Sequence, residues 1–335
     1  MRIAVDGMGG DYAPQEIVKG SVVAAREHNI DISLVGPEDL IRSELRSHDL
    51  SGLNIDIIHT SEYLLEGEHP AFALRKKRDA SILIAVKAVR DGKADAIVSA
   101  GPTGGVVASA LYILGTIEGM SRPVLGGAFL GFAPNTVVMD LGGNVDCRAD
   151  QLLDFGVVGT VFAREIMGIK DPTVALLSVG AEEGKGNEIV NESYALFQKS
   201  GLNFIGNAEG NDLSQGKANV IICDGFVGNI LVKYTEALGE TITDWLRERL
   251  NGKLPAEEID RLAGDLILST NPAEAHGGGP LLAVNGVVCV THGRSKAAEI
   301  ARTIGQAKMV VERDITGMLK SELAAVRSKL PVDQA

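Results

Sequence analysis

The amino-acid sequence predicts an α/β protein built on a mainly parallel sheet with helices on both faces. Three observations predict it: short β-branched runs alternate with helix-period stretches, most runs end in a glycine, and the stretches between are long enough for crossover helices. The composition fits. A chain of 335 residues with 45% hydrophobic and 23% charged side chains is too apolar for disorder and too interrupted by charge for a membrane bundle.

The first run, residues 3–5, leads into Asp6 and a glycine loop, and Pro14 is placed to open a helix over 14–28. Residues 32–35 form the next run, stopped by Gly36, and 80–91 the next helix-period stretch. Residues 96–117 carry no charge and are long enough to span a bilayer, but Gly101, Pro102, Gly104 and Gly105 interrupt them. They read instead as a strand over 96–98, a glycine loop and a buried helix over 104–117. Further strands are expected at 137–139, 174–179, 220–223 and 287–290, before Gly142, Gly180, Gly225 and Gly293. Helices are expected at 151–167, 188–200, 229–250 and 295–319. With no repeat or low-complexity linker, 1–335 reads as one α/β unit with two lobes, 1–119 with 271–335 and 120–270.

Glycine is in excess, at 40 residues where average usage of about 7% gives roughly 23. The excess is assigned to tight loops at strand ends, where backbone amides approach an anion at the start of the next helix. A net charge of -12 argues against a general nucleic-acid binder. Cys147, Cys223 and Cys289 form no pair or metal-ligand spacing and fit reduced thiols of a cytoplasmic protein. The amino terminus runs directly into a strand-like segment, so no export signal is expected. Standard nucleotide signatures fail: none of the Gly-Lys pairs at 92, 184, 216 and 252 is followed by Ser or Thr, and the Gly7 motif lacks its last glycine.

Six loop clusters carry the chemistry. They are Asp6-Gly7-Met8-Gly9-Gly10-Asp11, whose acids suit a cap or the orienting of loop amides; Ser99-Ala100-Gly101-Pro102-Thr103-Gly104, with two hydroxyls; and Leu141 to Cys147 with Asn144 and Asp146. The others are Gly180 to Asn187, with Lys185 between Gly184 and Gly186; Cys223 to Asn229, with an acid and an amide; and Thr291-His292-Gly293-Arg294-Ser295.

In order and wording these loops, with RKKRDAS at 75–81, GNAEGNDLSQGKANVIICDGFVGN at 206–229 and GGGPLLAVNGVV at 277–288, resemble the phosphate acyltransferases of bacterial phospholipid synthesis, the PlsX family. The resemblance covers nearly the whole chain. It implies a three-layer α/β sandwich like that of isocitrate and isopropylmalate dehydrogenases, similarity to phosphotransacetylases, a homodimer, and formation of acyl phosphate from acyl-acyl carrier protein and inorganic phosphate. The family is also similar to peripheral membrane proteins, and the amphipathic segment 238–268, with Trp245, Leu246, Leu250, Ile259, Leu262, Leu266 and Ile267, is the candidate contact, dimer packing being its other reading. The chain departs from the family pattern at Gly7, Gly143, His276 to Pro280, Arg294 and above all Pro102, where proline removes a backbone N–H from a loop expected to bind substrate.

Such a reaction needs a desolvated phosphate held in line with a thioester carbonyl and donors for the oxyanion that forms. Lys185 and Asn229 are the expected donors, with Asp224 and Asp146 orienting them, since a free carboxylate beside phosphate repels it. His292 is the candidate proton shuttle. Phosphate and substrate are assigned to Gly9, Gly10, Asp11, Ser99, Thr103, Gly104, Asn144, Asp146, Gly186, Asn187 and Gly228, and carrier docking to the basic run Arg75, Lys76, Lys77 and Arg78. Each has a plainer reading: a solvated lysine or basic face, a helix-start asparagine, capping aspartates, a structural histidine. Cys223 reads as a buried thiol rather than an acyl acceptor. No cofactor or metal is expected. Two other functions stay open, a metal- and NAD-dependent hydroxyacid dehydrogenase of the same fold and a non-catalytic anion-binding protein.

Overall fold

The structure, a computed structural model, describes residues 1–65, 67–68, 70–271 and 276–330. The parts of the expected lobes at 272–275 and 331–335 lie outside the described residues. The chain forms two compact units, Met1–Pro123 with His276–Met318, and Val124–Ala275 with Leu319–Ala335.

In the first unit the chain runs β1 (Arg2–Asp6), α1 (Gln15–His28), β2 (Asp31–Gly36), α2 (Glu38–Leu45), β3 (Ile55–His59), α3 (Pro70–Lys76), α4 (Ser81–Arg90), β4 (Ala96–Ser99) and α5 (Thr103–Ile113). The second unit takes β5 (Val124–Ala128), β6 (Val137–Met139), α6 (Ala149–Glu165), β7 (Val174–Leu177), α7 (Glu188–Ser200), β8 (Phe204–Ala208), α8 (Asp212–Gln215), β9 (Val220–Ile222), α9 (Gly225–Leu250) and α10 (Ala256–Thr270). The first unit is completed by β10 (Gly278–Leu282), β11 (Val287–Thr291) and α11 (Ala297–Glu312), and α12 (Ile315–Arg327) follows.

Strands of the first unit lie in the order β3-β2-β1-β4-β11-β10, parallel except for β10, which runs against β11. Ile3 pairs with Ile32 on one side and Ala96 on the other, and all three are fully buried. A strand covered on both faces needs such unbroken apolar runs. Helices α1 and α11 pack together, as do α4 and α5. Because the crossovers from β1 to β2 and from β3 to β4 run in opposite directions, right-handed connections put these two pairs on opposite faces. The second unit orders its strands β5-β6-β9-β7-β8, all parallel but β5. Its core includes Phe129, Val138, Ala175, Ile221 and Cys223.

The predicted α/β class holds, with several corrections. Strands β3, β5, β8 and β10 were not expected. The 96–117 segment is β4, a loop and α5, and among the described residues no helix is long and apolar enough to cross a membrane. Helix α9 starts at Gly225 rather than 229, because Asp224 caps it by accepting the Val227 amide at 2.8 Å. The expected helix 295–319 is two, separated at Asp314, whose φ of 44° leaves the helical region. Nor do the glycines sit only in loops: a Cβ at Gly126, in β5, would stand 2.1 Å from the Met139 sulfur of β6.

Candidate functional site

Within the first unit the strand order changes direction between β1 and β4, and in open parallel sheets ligands bind outside the carboxyl ends of strands at such a point. Asp6 ends β1 there, 4% exposed. Its carboxylate accepts the Ser81 hydroxyl at 2.6 Å, the Ser99 hydroxyl at 2.8 Å and the Met8 amide at 3.3 Å, and Ser99 Oγ in turn accepts the Gly101 amide at 3.0 Å. Burial pushes the Asp6 carboxyl above its ordinary value, and the two serines pull it back. One buried carboxylate thus fixes the Gly7 and Gly101 loops side by side, so closely that a Cβ at Gly9 would lie 2.6 Å from the Gly101 nitrogen. Neither of the loop's acids caps α1, but Asp6 serves the other duty read for them and orients a loop amide, that of Met8; Asp11 donates its own amide to the Gly293 carbonyl at 2.8 Å, joining the His292 loop to the Gly9–Gly10 turn.

Thr103 and Gly104 are exposed at the first turn of α5, where amides have no intrahelical acceptor. Pro102 is the N-cap residue, and its carbonyl accepts the Gly105 and Val106 amides. Its missing N–H therefore falls where the helix does not need one. His292 is half-buried and Arg294 exposed on the turn after β11.

In the second unit Asp140, fully buried at the end of β6, plays the part that Asp6 plays in the first. It accepts the amides of Leu125 at 3.2 Å, Gly142 at 3.2 Å and Gly143 at 3.0 Å, and the Asn144 side-chain amide at 2.7 Å. Burial raises its carboxyl as well. Asn144 is thereby buried and committed to the loop, while Asp146 is exposed. The Asn144 carbonyl accepts the Gly225 amide at 2.7 Å, seating the start of α9 on this loop. Gly228 faces the Asp140 carbonyl, and Asn229, exposed, lies over Gly142.

Neighbouring β7 leads into the Lys185 loop. Lys185 is exposed, and its stem lies beside Gly180 with the Glu182 carboxylate. The loop is pinned through its backbone: the Lys185 carbonyl accepts the Ser178 hydroxyl at 2.9 Å and the Asn207 amide at 3.3 Å. Asn187 caps α7 by accepting the Val190 amide at 3.0 Å, so its side-chain oxygen is engaged. Lys185 and Asn229 thus follow two adjacent parallel strands, β7 and β9, at the same end of the sheet.

Cys223 is buried, with its thiol on the Asp140 carbonyl at 3.6 Å, and burial pushes it far above the ordinary thiol range. An unreactive thiol results. Of the basic run, Arg75, Lys76 and Arg78 are exposed, whereas Lys77 turns to Glu68 at 2.6 Å and to the Tyr63 carbonyl at 2.8 Å. Asp6, Asp140, Ser81 and Asn207 were absent from the expected set. The signal for the two aspartates is an acid ending an apolar run directly before a glycine loop.

A family model described as fatty acid synthesis protein matches residues 1–318. The phosphate acyltransferase of Pelotomaculum thermopropionicum is 42% identical over 332 residues, covering 98% of this chain and 97% of its own. That of Dictyoglomus turgidum is 42% identical over 321 residues, 94% of this chain and 95% of its own. Among solved structures, a phosphotransacetylase from Streptococcus pyogenes superposes with a TM-score of 0.60 at 22% identity, covering 92% of this chain and 94% of that one. A branched-chain phosphotransacylase from Enterococcus faecalis gives 0.54 at 14% identity over 92% and 98%. At these identities the structural likeness is one of fold.

Proposed function

This chain belongs to the fatty acid synthesis protein family, whose curated relatives are phosphate acyltransferases, and is an acyltransferase; from that premise we propose that it makes acyl phosphate from acyl-acyl carrier protein and inorganic phosphate, feeding glycerophospholipid synthesis. A phosphate oxygen attacks the thioester carbonyl carbon directly, the C–S bond breaks, and the thiolate leaves with the bonding electrons. A thiol of pKa near 8.5 needs little acid help to leave, so the protein's task is to hold phosphate and stabilise the oxyanion.

The observation that carries this reading is the exposure of Lys185, on the loop after β7, and of Asn229, at the start of the helix after the adjacent strand β9, while the neighbouring Asp224 and Asn187 are engaged as helix caps. Lys185 and Asn229 donate to the oxyanion. Asp224 acts by fixing the first turn of α9, which bears Asn229, and Asp146 lies on the loop against which that turn is seated. In the first unit Thr103, Gly104 and the amides around Gly9 and Gly10 offer an anion cradle, with His292 as the proton carrier, and in the second unit the amides around Gly186 and Gly228 offer another. The exposed Arg75, Lys76 and Arg78 dock the acidic carrier. Ile230, Tyr234, Leu238, Ile242 and Trp245 form an exposed apolar stripe along α9, which supports a homodimer or a peripheral membrane contact through 238–268.

The test is release of free carrier thiol from an acyl carrier protein thioester, with and without phosphate, the product trapped as hydroxamate. Phosphate-dependent thiol release with hydroxamate formation is expected. Release without phosphate, or turnover of the coenzyme A thioester alone, overturns the reading. Reduction of NAD by 2-hydroxy diacids would point to a dehydrogenase instead.

A further inference from the structure

Strand β8 carries an irregularity that aims one side chain at the Lys185 loop. Val174 of β7 pairs with Phe204, yet Leu176 pairs with Asn207, so two steps on β7 match three on β8. The extra residue is accommodated where Gly206 takes a φ of 95°. Bulges of this kind redirect the side chain that follows. Asn207 is 3% exposed, and its Nδ2 donates to the Glu182 carbonyl at 3.0 Å and the Lys185 carbonyl at 3.3 Å. Its Oδ1 is buried with no partner among the described residues. An apolar side chain would fill the same space without an unpaired buried acceptor, so packing does not account for the amide here. The two loop carbonyls do.

We propose that Asn207 is a positioning residue for the acyl transfer, holding the Glu182–Lys185 turn so that the Lys185 ammonium is presented to the reacting carbonyl. This rests on the role given to Lys185 above. Ser178 shares the task through its bond to the Lys185 carbonyl.

The experiment is a double-mutant cycle on the full-length enzyme, reading phosphate-dependent thiol release for Asn207→Ala, Lys185→Ala and the double variant. Asn207→Ala is expected to lower kcat about tenfold with KM for the thioester within about twofold, and to change kcat less than about twofold once Lys185 is alanine. Ser178→Ala, at a half-buried position, gives a smaller kcat loss of the same pattern and carries the test if Asn207→Ala fails to fold. Wild-type kcat in Asn207→Ala and Ser178→Ala, or losses that simply add to that of Lys185→Ala, overturns the positioning role alone. Full activity in Lys185→Ala overturns the Lys185 role and the positioning role together.

Discussion

Gly228 stands so close to the Asp140 carbonyl that a Cβ at this position would lie 1.8 Å from its oxygen. The obstacle is backbone at a strand end and cannot rotate away. Helix α9 is therefore seated on the β6–α6 loop only because its first turn has no side chain there. Gly228→Ala is expected to destabilise the fold by about 1–3 kcal/mol and to lower kcat/KM more than about tenfold, because α9 must move off the loop with Asn229. Urea unfolding and the thiol-release assay check it; wild-type values in both would refute the seating.

The two buried carboxylates at strand ends differ in what they hold. Asp140 accepts the backbone amides of Leu125, Gly142, Gly143 and Asn144, whose polarity is fixed, and the Asn144 side-chain amide. Asp6 accepts two serine hydroxyls, which can turn to accept, and the backbone amides of Met8 and Gly9. Replacing each acid by its amide separates them: Asp140→Asn is expected to cost about 2–4 kcal/mol and Asp6→Asn less than about 1.5 kcal/mol. Equal costs in chemical denaturation would show that hydroxyl rotation does not rescue Asp6.

What the sequence made legible follows from physical signals that survive in one dimension. β1, β2, β4, β6, β7, β9 and β11 are apolar, β-branched runs and were readable. β5 and β10 were not, because Val124-Leu-Gly-Gly-Ala and Gly278-Gly-Pro-Leu-Leu look like loop. Their glycines serve neighbours instead, as Gly126 makes room for Met139. The loops themselves were legible as glycine clusters at strand ends. The groups holding them from a distance were not: Ser81 and Ser99 reach Asp6, and Asn207 reaches the Glu182 and Lys185 carbonyls, only once the chain has folded. Asp224 shows the converse, since its plainer reading as a capping residue is the geometry found, and Asn187, assigned to phosphate, proves to be a cap as well.

A covalent acyl-enzyme on Cys223 would need its thiolate, which burial disfavours strongly. Direct attack by phosphate needs no such group. Cys223→Ala is accordingly expected to keep most of kcat, whereas Lys185→Ala loses at least about tenfold through the missing oxyanion donor. The opposite pattern, or a burst of thiol release before steady state that Cys223→Ala abolishes, would establish a covalent route.

Asp154 of α6 gives the second unit a pH signature. It is 5% exposed and accepts both bonds of the Arg327 guanidinium, at 3.0 and 3.1 Å. Burial outweighs the arginine and pushes its carboxyl from 3.8 up to about 6. The folded state thus binds this proton more tightly than the unfolded chain. Its contribution to stability is full below pH of about 4 and is lost as pH rises through about 6, at roughly 1.4 kcal/mol per pH unit, or about 3 kcal/mol in all. Asp154→Asn removes that decline, so urea midpoints of wild type and variant should diverge between pH 4.5 and 7.5. Parallel curves would mean that the Arg327 pair keeps Asp154 ionised throughout.

The basic run divides into groups with different duties. Lys77 is tied to Glu68 and the Tyr63 carbonyl and belongs to the local structure, while Arg75, Lys76 and Arg78 face solvent. Glu68 is held below the ordinary carboxylate range by Lys77 and so stays ionised as its partner. If the exposed three steer an acidic carrier, their effect is long-ranged and screened by salt, whereas a short ion pair within the loop is not an encounter surface. Arg75→Glu with Arg78→Glu should therefore weaken carrier binding about tenfold or more at low salt and abolish its salt dependence, with turnover of a small acyl thioester unchanged. Lys77→Ala should leave the salt dependence intact. Titration of the carrier by calorimetry at two ionic strengths decides it, and an undiminished salt slope in the doubly reversed variant would place the docking surface elsewhere.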